Sequence, residues 1–212
     1  MPATPAPRTS ARRTAIADAA IEVLASQGMR GLTHRAVDRG AALPSGSTSY
    51  YFRTRQALLQ AIVNRLVELD QADQADETPG DIDALVASAA DALDLWLSRH
   101  RSRTLARYAC LLEATRYPEF EAIRQAGAVF REYAGAVLAR AGAPDPQWRG
   151  RLLVAAIDGL LFDRLANTGG VTAPEPGTPA SRADLRAAIR LLVEAVLAQP
   201  PSSADTGRPP TS

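Results

Sequence analysis

Residues 32–55, LTHRAVDRGAALPSGSTSYYFRTR, decide the fold of this chain. They predict a short helix, a tight turn over residues 41–44, a second short helix and the start of a third. Thr33 and Thr54 stand where helices begin, and a threonine hydroxyl there accepts a hydrogen bond from an amide that has no partner within its helix. Leu43 is apolar in polar surroundings, so we expect it to fill the angle between the two short helices.

Positive charge is concentrated around this stretch. The whole chain carries 24 Lys and Arg against 23 Asp and Glu, for a formal net charge of +1. Residues 1–55 hold eight arginines against three acidic residues, a local charge of +5, which leaves −4 for the remainder. A basic segment of short helices with brief connections is typical of a helix-turn-helix reader of double-stranded DNA.

Helical periodicity extends in both directions from this stretch. A first helix is predicted over residues 10–27, with Gly28 in the left-handed position just past its end. Beyond Thr54, residues 58–67 carry the strongest i, i+4 apolar repeat of the chain. Later helices are predicted over about 81–97, 105–117, 118–141, 146–167 and 181–196, with 169–180 as a flexible loop. No strand pattern appears, so the predicted fold is all-α with about nine helices.

The residue inventory argues against several classes of protein. Cys110 is the single cysteine, and His34 and His100 lack the spacing of a metal site, so no disulfide or metal centre is expected. No phosphate-binding glycine loop or nucleophile motif is present, so we expect neither catalysis nor a cofactor. No run approaches the ~18 apolar residues of a membrane span, and no signal peptide is evident. A cytoplasmic protein is expected.

The stretch from about Thr14 to Leu66 resembles the TetR family of bacterial transcriptional regulators. The matching features are Gly28 with Leu32-Thr33, the turn AALPSGS at 41–47, the pair Tyr51-Phe52, and Arg55 with Leu58-Leu59. The remainder matches only in helical layout. The resemblance implies a homodimer whose recognition helices enter successive major grooves of a palindromic operator. It also implies repression relieved by a small molecule bound among predicted helices 4 to 8.

The resemblance also assigns roles in DNA binding. Thr33 and Arg55 match phosphate contacts, and Arg35 matches a position that reaches a base edge, where arginine can pair with guanine. The alternative for Arg35 is a surface ion pair with Asp38. The predicted DNA contacts are Thr33, His34, Arg35, Ser45, Gly46, Ser47, Thr48, Ser49, Tyr50, Tyr51, Arg53 and Arg55. Ser45 and Ser47 are also available to cap the second short helix.

One position departs from the family pattern. The family usually has a phosphate-contacting tyrosine where this chain has Ser49. We therefore expect Tyr50 or Tyr51 to take over that contact, although Tyr51 and Phe52 can also belong to the core.

The carboxy-terminal part is predicted to bind the effector and to dimerise. Large or polar residues expected to face inward form the candidate ligand set: Trp96, Tyr108, Glu113, Arg116, Phe130, Asp158 and Phe162. The predicted dimer contacts on the last two helices are Leu152, Ala156, Gly159, Leu192 and Val196. The alternative for both sets is an ordinary role in the core of the monomer.

These expectations divide the chain into four parts. Residues 1–9 and 199–212 are predicted disordered tails, residues 10–56 a helix-turn-helix domain, and residues 57–198 a helical ligand-binding and dimerisation domain. The predicted function is a ligand-released homodimeric repressor. The alternative is a TetR-like regulator that activates, or that acts through a protein partner.

Overall fold

The computed structural model describes residues 7–73, 79–115, 117 and 120–198, and every regular element within these ranges is a helix. The helices are α1 (Pro7–Gly31), α2 (His34–Gly40), α3 (Ser47–Tyr51), α4 (Arg55–Asp73), α5 (Ile82–Leu97), α6 (Arg101–Glu113), α7 (Glu121–Ala126), α8 (Ala128–Arg140), α9 (Pro146–Ala166), α10 (Gly169–Thr172) and α11 (Pro179–Ala198). The predicted all-α fold is confirmed.

Several boundaries differ from the prediction. Helix α1 begins at Pro7 rather than at Ser10, so part of the predicted amino-terminal tail is helical. The single helix predicted over 118–141 is two helices that meet at Gly127. The predicted loop 169–180 contains the one-turn helix α10. Residues 1–6 and the predicted tail 199–212 lie outside the described residues.

The chain forms two compact units. Unit 1 comprises Met1–Asp76 and Ser98–Ala128, and unit 2 comprises Glu77–Leu97 and Val129–Ser212. Helices α4, α6 and α7 therefore belong with the first three helices, rather than with the carboxy-terminal domain that the sequence predicts from residue 57.

One apolar core holds unit 1 together. Ile16 and Leu24 of α1, Val37 of α2, Ile62 of α4 and Cys110 of α6 are all buried in it. The predicted repeat at residues 58–67 is buried in this core because its i, i+4 spacing places its apolar side chains on one face of α4. Leu43 packs against the same core, as expected.

Helix α1 is kinked at Gly28, where φ is +66°. Residues other than glycine rarely adopt this left-handed conformation, so the glycine is required by the backbone. The positive φ predicted for Gly28 is confirmed, but α1 continues to Gly31 instead of ending at Gln27.

Unit 2 is built around the antiparallel pair α5 and α11, which α9 also contacts. Three ion pairs run along the pair: Asp83 with Arg190, Asp91 with Arg186 and Asp94 with Arg182. Helices α8 and α9 cross closely at Gly135 and Gly150, because a Cβ atom on Gly150 would lie 2.6 Å from the Gly135 nitrogen.

Candidate nucleic-acid interface

The start of α3 is held by a carboxylate from α2. Asp38 Oδ2 accepts a hydrogen bond from the Gly46 amide at 2.8 Å. Its Oδ1 accepts from the amide of Thr48 at 2.7 Å and from the Thr48 hydroxyl at 2.6 Å. Burial alone would raise the pKa of Asp38, but the hydrogen bonds from Thr48 and Gly46 outweigh it and lower the pKa below its ordinary value. The carboxylate is thus the charged form that the turn requires.

This arrangement corrects the predicted capping of α3. The N-cap of α3 is Gly46, which has φ +92° and no side chain to offer. Ser47 turns away and donates its hydroxyl to the Pro44 carbonyl at 2.6 Å. No side-chain cap from Ser45 or Ser47 is formed, because Asp38 already accepts the free amides at this helix start. The caps predicted at Thr33 and Thr54 are confirmed, since each accepts the amide three residues on, at 3.2 and 3.1 Å.

Two predicted DNA contacts have internal roles. The Thr48 side chain is fully buried against Asp38, so it is not exposed for the DNA contact predicted of it. His34 is half-buried and donates from Nε2 to the Phe52 carbonyl at 2.7 Å. It therefore ties the start of α2 to the end of α3, and that nitrogen is not available to DNA.

Two exposed arginines donate hydrogen bonds to backbone carbonyls of the same region. Arg55 donates to the carbonyls of Leu32 at 2.5 Å and Met29 at 2.6 Å, so it fixes the connection between α1 and α2. Arg13 donates to the Tyr51 carbonyl at 3.0 Å, and its guanidinium carbon lies 4.4 Å from the centre of the Phe52 ring. A phosphate contact by Arg55 stays a prediction. In such a contact the same guanidinium would bind DNA and also hold the connection between α1 and α2.

The adjacent tyrosines differ in exposure. Tyr50 is 76% exposed, whereas Tyr51 is half-buried and packs against the core of unit 1. Their rings meet edge to face, with centroids 5.1 Å apart and an angle of 85°. Tyr50 is therefore the tyrosine that can reach a phosphate beside Ser49, while Phe52 is buried, as its core alternative requires.

The remaining candidates form one exposed polar surface on α2 and α3. Arg35 is exposed and has no hydrogen bond or ion pair with another described residue. Its alternative pairing with Asp38 is wrong, because that carboxylate is buried under α3. The other exposed members of the predicted DNA contacts are Thr33, Ser45, Gly46, Ser49, Tyr50, Arg53 and Arg55.

Sequence reasoning missed Asp38 and Arg13 as the residues that position this surface. The signal was present for Asp38: it directly follows Ala36 and Val37 on a helix face that the pattern buries. A buried carboxylate needs hydrogen-bond donors, and the nearest unpaired amides in sequence belong to the start of α3.

The predicted ligand residues are distributed over both units. In unit 2, Trp96 and Phe130 are half-buried and meet edge to face, with ring centroids 5.6 Å apart. Asp158 and Phe162 were expected to face inward but lie on the exposed side of α9, whose inner face is formed by Leu153, Leu161 and Leu165. In unit 1, Tyr108 and Glu113 are half-buried on α6. Arg116 lies outside the described residues.

The predicted dimer contacts lie on α9 and α11. Leu152 is 40% exposed, and a Cβ atom on Gly159 would meet nothing within 4 Å. Ala156, Leu192 and Val196 are half-buried. Dimerisation stays a prediction, to which Phe162 (48% exposed) and Leu191 (67% exposed) add apolar surface.

The described part of the chain has neither a membrane-spanning helix nor a cluster of metal ligands. No helix there is long and apolar enough to cross a membrane. Within the same ranges, no group of three or more His, Cys, Asp or Glu side chains could hold a metal ion.

Comparison with known proteins gives matches at both ends of the chain. Residues 16–62 match the family model described as bacterial regulatory proteins, tetR family. Residues 80–195 match the model described as tetracyclin repressor-like, C-terminal domain. No curated protein matches.

Solved structures are similar over most of the chain. A member of the TetR family from Streptomyces coelicolor A3 is 29% identical, with a TM-score of 0.61, over 85% of this chain and 97% of that one. The multidrug binding protein EbrR complexed with ethidium is 32% identical, with a TM-score of 0.56 and the same coverage. A transcriptional regulator from Rhodococcus sp. Rha1 has a TM-score of 0.68 over 89% of this chain and 99% of that one, and at 23% identity it supports the fold alone.

Proposed function

The chain belongs to the TetR family of bacterial regulatory proteins, which are transcription factors rather than enzymes, and we propose that it is a homodimeric repressor released from its operator by a small molecule. The observation that carries the DNA part is the exposed polar surface of α2 and α3, held in place by Asp38. A recognition surface has to be rigid, because loose contacts lose affinity to ordering costs.

We assign three kinds of contact to this surface. Arg35 reads a base edge, where a bidentate pair with guanine contributes roughly 1–3 kcal/mol of discrimination. Ser45, in the turn before α3, and Ser49, on α3, are both exposed and offer hydroxyls to bases or phosphates. Tyr50 takes the phosphate contact that the family places at the position of Ser49, because Tyr50 is the more exposed residue of the tyrosine pair.

The apolar surface of α9 and α11 supports the homodimer. Leu152, Gly159 and Phe162 follow one another at spacings of seven and three along α9, and Leu191 lies exposed on α11. A stripe of this kind on two helices is buried when two copies form a four-helix bundle about a twofold axis. Two copies related in this way would present two α3 helices to a palindromic operator.

The effector is proposed to be an aromatic cation. EbrR has been solved in complexes that resemble this chain. The complex with ethidium matches at 32% identity, and the complex with malachite green matches at 28% identity. In this chain the edge-to-face pair of Trp96 and Phe130 offers aromatic faces inside unit 2. Aromatic faces attract cations through their quadrupole, by about 0.5–2 kcal/mol for each contact.

A two-step experiment tests the proposal. The full-length protein is first used to select bound DNA from a random duplex library, and the selected sequence is footprinted. Malachite green is then titrated against the protein alone, followed by tryptophan fluorescence, and against the footprinted complex. The proposal expects a palindromic footprint that disappears at the dye concentration that quenches the fluorescence of the protein.

The possible failures separate the parts of the proposal. Selection of no DNA sequence would contradict the regulator itself. A footprint that malachite green leaves intact would reject this ligand class, and one that responds only to a second protein would favour the partner-dependent alternative. Sedimentation of a monomer at micromolar concentration would contradict the homodimer.

A further inference from the structure

The amino-terminal end of α1 is attached to the recognition helix. Arg13 donates to the carbonyl of Tyr51, the last residue of α3, at 3.0 Å, and its guanidinium lies over the ring of Phe52. The first turns of α1 are therefore held beside the carboxy-terminal end of α3, although 38 residues separate Arg13 from Tyr51 in sequence.

Arg12, next to Arg13 on α1, is a cation without a partner among the described residues. It is exposed, and no described residue forms a hydrogen bond or ion pair with it. Residues 1–17 contain three arginines and no acidic residue, the first acid being Asp18. Since Arg13 is occupied by α3, Arg12 is the neighbouring guanidinium that remains available to a partner.

The size of the DNA groove identifies that partner. Helix α3 has five residues, which at a rise of about 1.5 Å per residue make it ~7.5 Å long. The major groove is about 12 Å wide, so a cation held beside one end of a helix shorter than this width is within reach of the edge of the groove. The sugar-phosphate backbone forms that edge.

We propose that Arg12 forms a second DNA contact, which binds a backbone phosphate beside the groove that α3 enters. This inference rests on the proposed function. It assigns to Arg12 a contribution to the affinity for DNA, but none to the choice of DNA sequence. A phosphate contact releases a condensed counterion, so each one steepens the dependence of log K on log salt by about 0.9.

The test compares the salt dependence of operator binding by wild-type protein and by Arg12→Ala, measured by fluorescence anisotropy from 50 to 200 mM salt. One lost contact reduces the fall in affinity over this range about 3.5-fold, and two lost contacts in a dimer reduce it about 12-fold. Arg12→Lys retains the charge and is expected to keep the wild-type slope. Arg131→Ala, which removes an exposed arginine from α8 in unit 2, serves as the matched control.

Three results would overturn the inference. Arg12→Ala can keep the wild-type slope, or Arg131→Ala can change the slope as much as Arg12→Ala does. Arg12→Ala can also weaken binding to the operator more than binding to random DNA, which would make Arg12 a base reader. Helical circular dichroism of each variant shows whether it is folded, and Arg12 is exposed on a helix, where alanine is well tolerated. If wild-type protein selects no DNA, the proposed function fails first and this inference fails with it.

Discussion

The Asp38 carboxylate accepts both the amide and the hydroxyl of Thr48, at 2.7 and 2.6 Å, in a site where both side chains are buried. These directional hydrogen bonds join the two helices on either side of the turn. They fix the rotation of α3 about its own axis, and hence which of its side chains face outward.

Replacement of Asp38 by alanine is expected to destabilise unit 1 by about 2–4 kcal/mol. A lost cap costs about 1 kcal/mol, and the buried donors of Thr48 left without a partner add a further 1–3 kcal/mol at most. Urea unfolding measures the loss, and operator affinity is expected to fall with it. Ser49→Ala, an exposed neighbour on α3, is the control. Equal stability of Asp38→Ala and wild type would show that the carboxylate does not hold α3.

Acid is expected to weaken this contact. The pKa of Asp38 is lowered from 3.8 in the folded chain, so the carboxylate contributes stability that is present above pH 3.8 and is lost as the pH falls through the folded pKa. The free energy of unfolding of wild type should therefore exceed that of Asp38→Asn at pH 6, and the difference should shrink below pH 3.8. Urea titrations at pH 6, 5, 4 and 3 give this difference. A difference that stays constant over the series would exclude a depressed pKa.

Arg55→Ala is expected to lower stability even without DNA. The guanidinium bridges the carbonyls of Leu32 and Met29, and because the residue is exposed we expect a loss of about 1 kcal/mol. Lysine should not rescue the loss, since a single ammonium lacks the planar fork that spans two acceptors. Thermal unfolding of both variants checks this. If Arg55→Ala melts like wild type and only its DNA binding is impaired, Arg55 is a phosphate contact alone.

The crossing of α8 and α9 should not accept a larger residue. A Cβ atom on Gly150 would lie 2.6 Å from the Gly135 nitrogen, so Gly150→Ala forces the two backbones apart at a cost of about 1–3 kcal/mol. Gly80→Ala is the matched control, because its Cβ atom would also enter open space and Gly80 is not among the proposed dimer contacts. The midpoint of urea unfolding should fall for the first variant only. A Gly150→Ala protein as stable as the control would mean that the helices separate easily.

Local chemistry accounts for what could be predicted from the sequence. Thr33 and Thr54 cap the helices that begin directly after them. The left-handed conformation of Gly28 involves only its immediate neighbours in the chain. Each of these features depends on residues no more than four positions apart. The apolar repeat of α4 could be read in the same way, because its period is a property of one helix.

The features that could not be predicted depend on residues that are distant in sequence. Arg13 meets Tyr51 across 38 residues, and Arg55 meets Leu32 across 23. The break at Gly127 is a further case, because the residues around it continue the helical pattern. The chain passes from unit 1 to unit 2 next to this break, and periodicity contains no information about such a division.

The buried position of Asp38 and Thr48 separates two kinds of residue within a very short motif. The supports of α3 are internal, whereas Ser45, Ser49 and Tyr50 are exposed and carry little of the packing. Substitutions at the exposed positions can therefore change which operator is preferred at small cost in folding free energy. Binding specificity could thus be redesigned at these exposed positions while the scaffold beneath α3 is left unchanged.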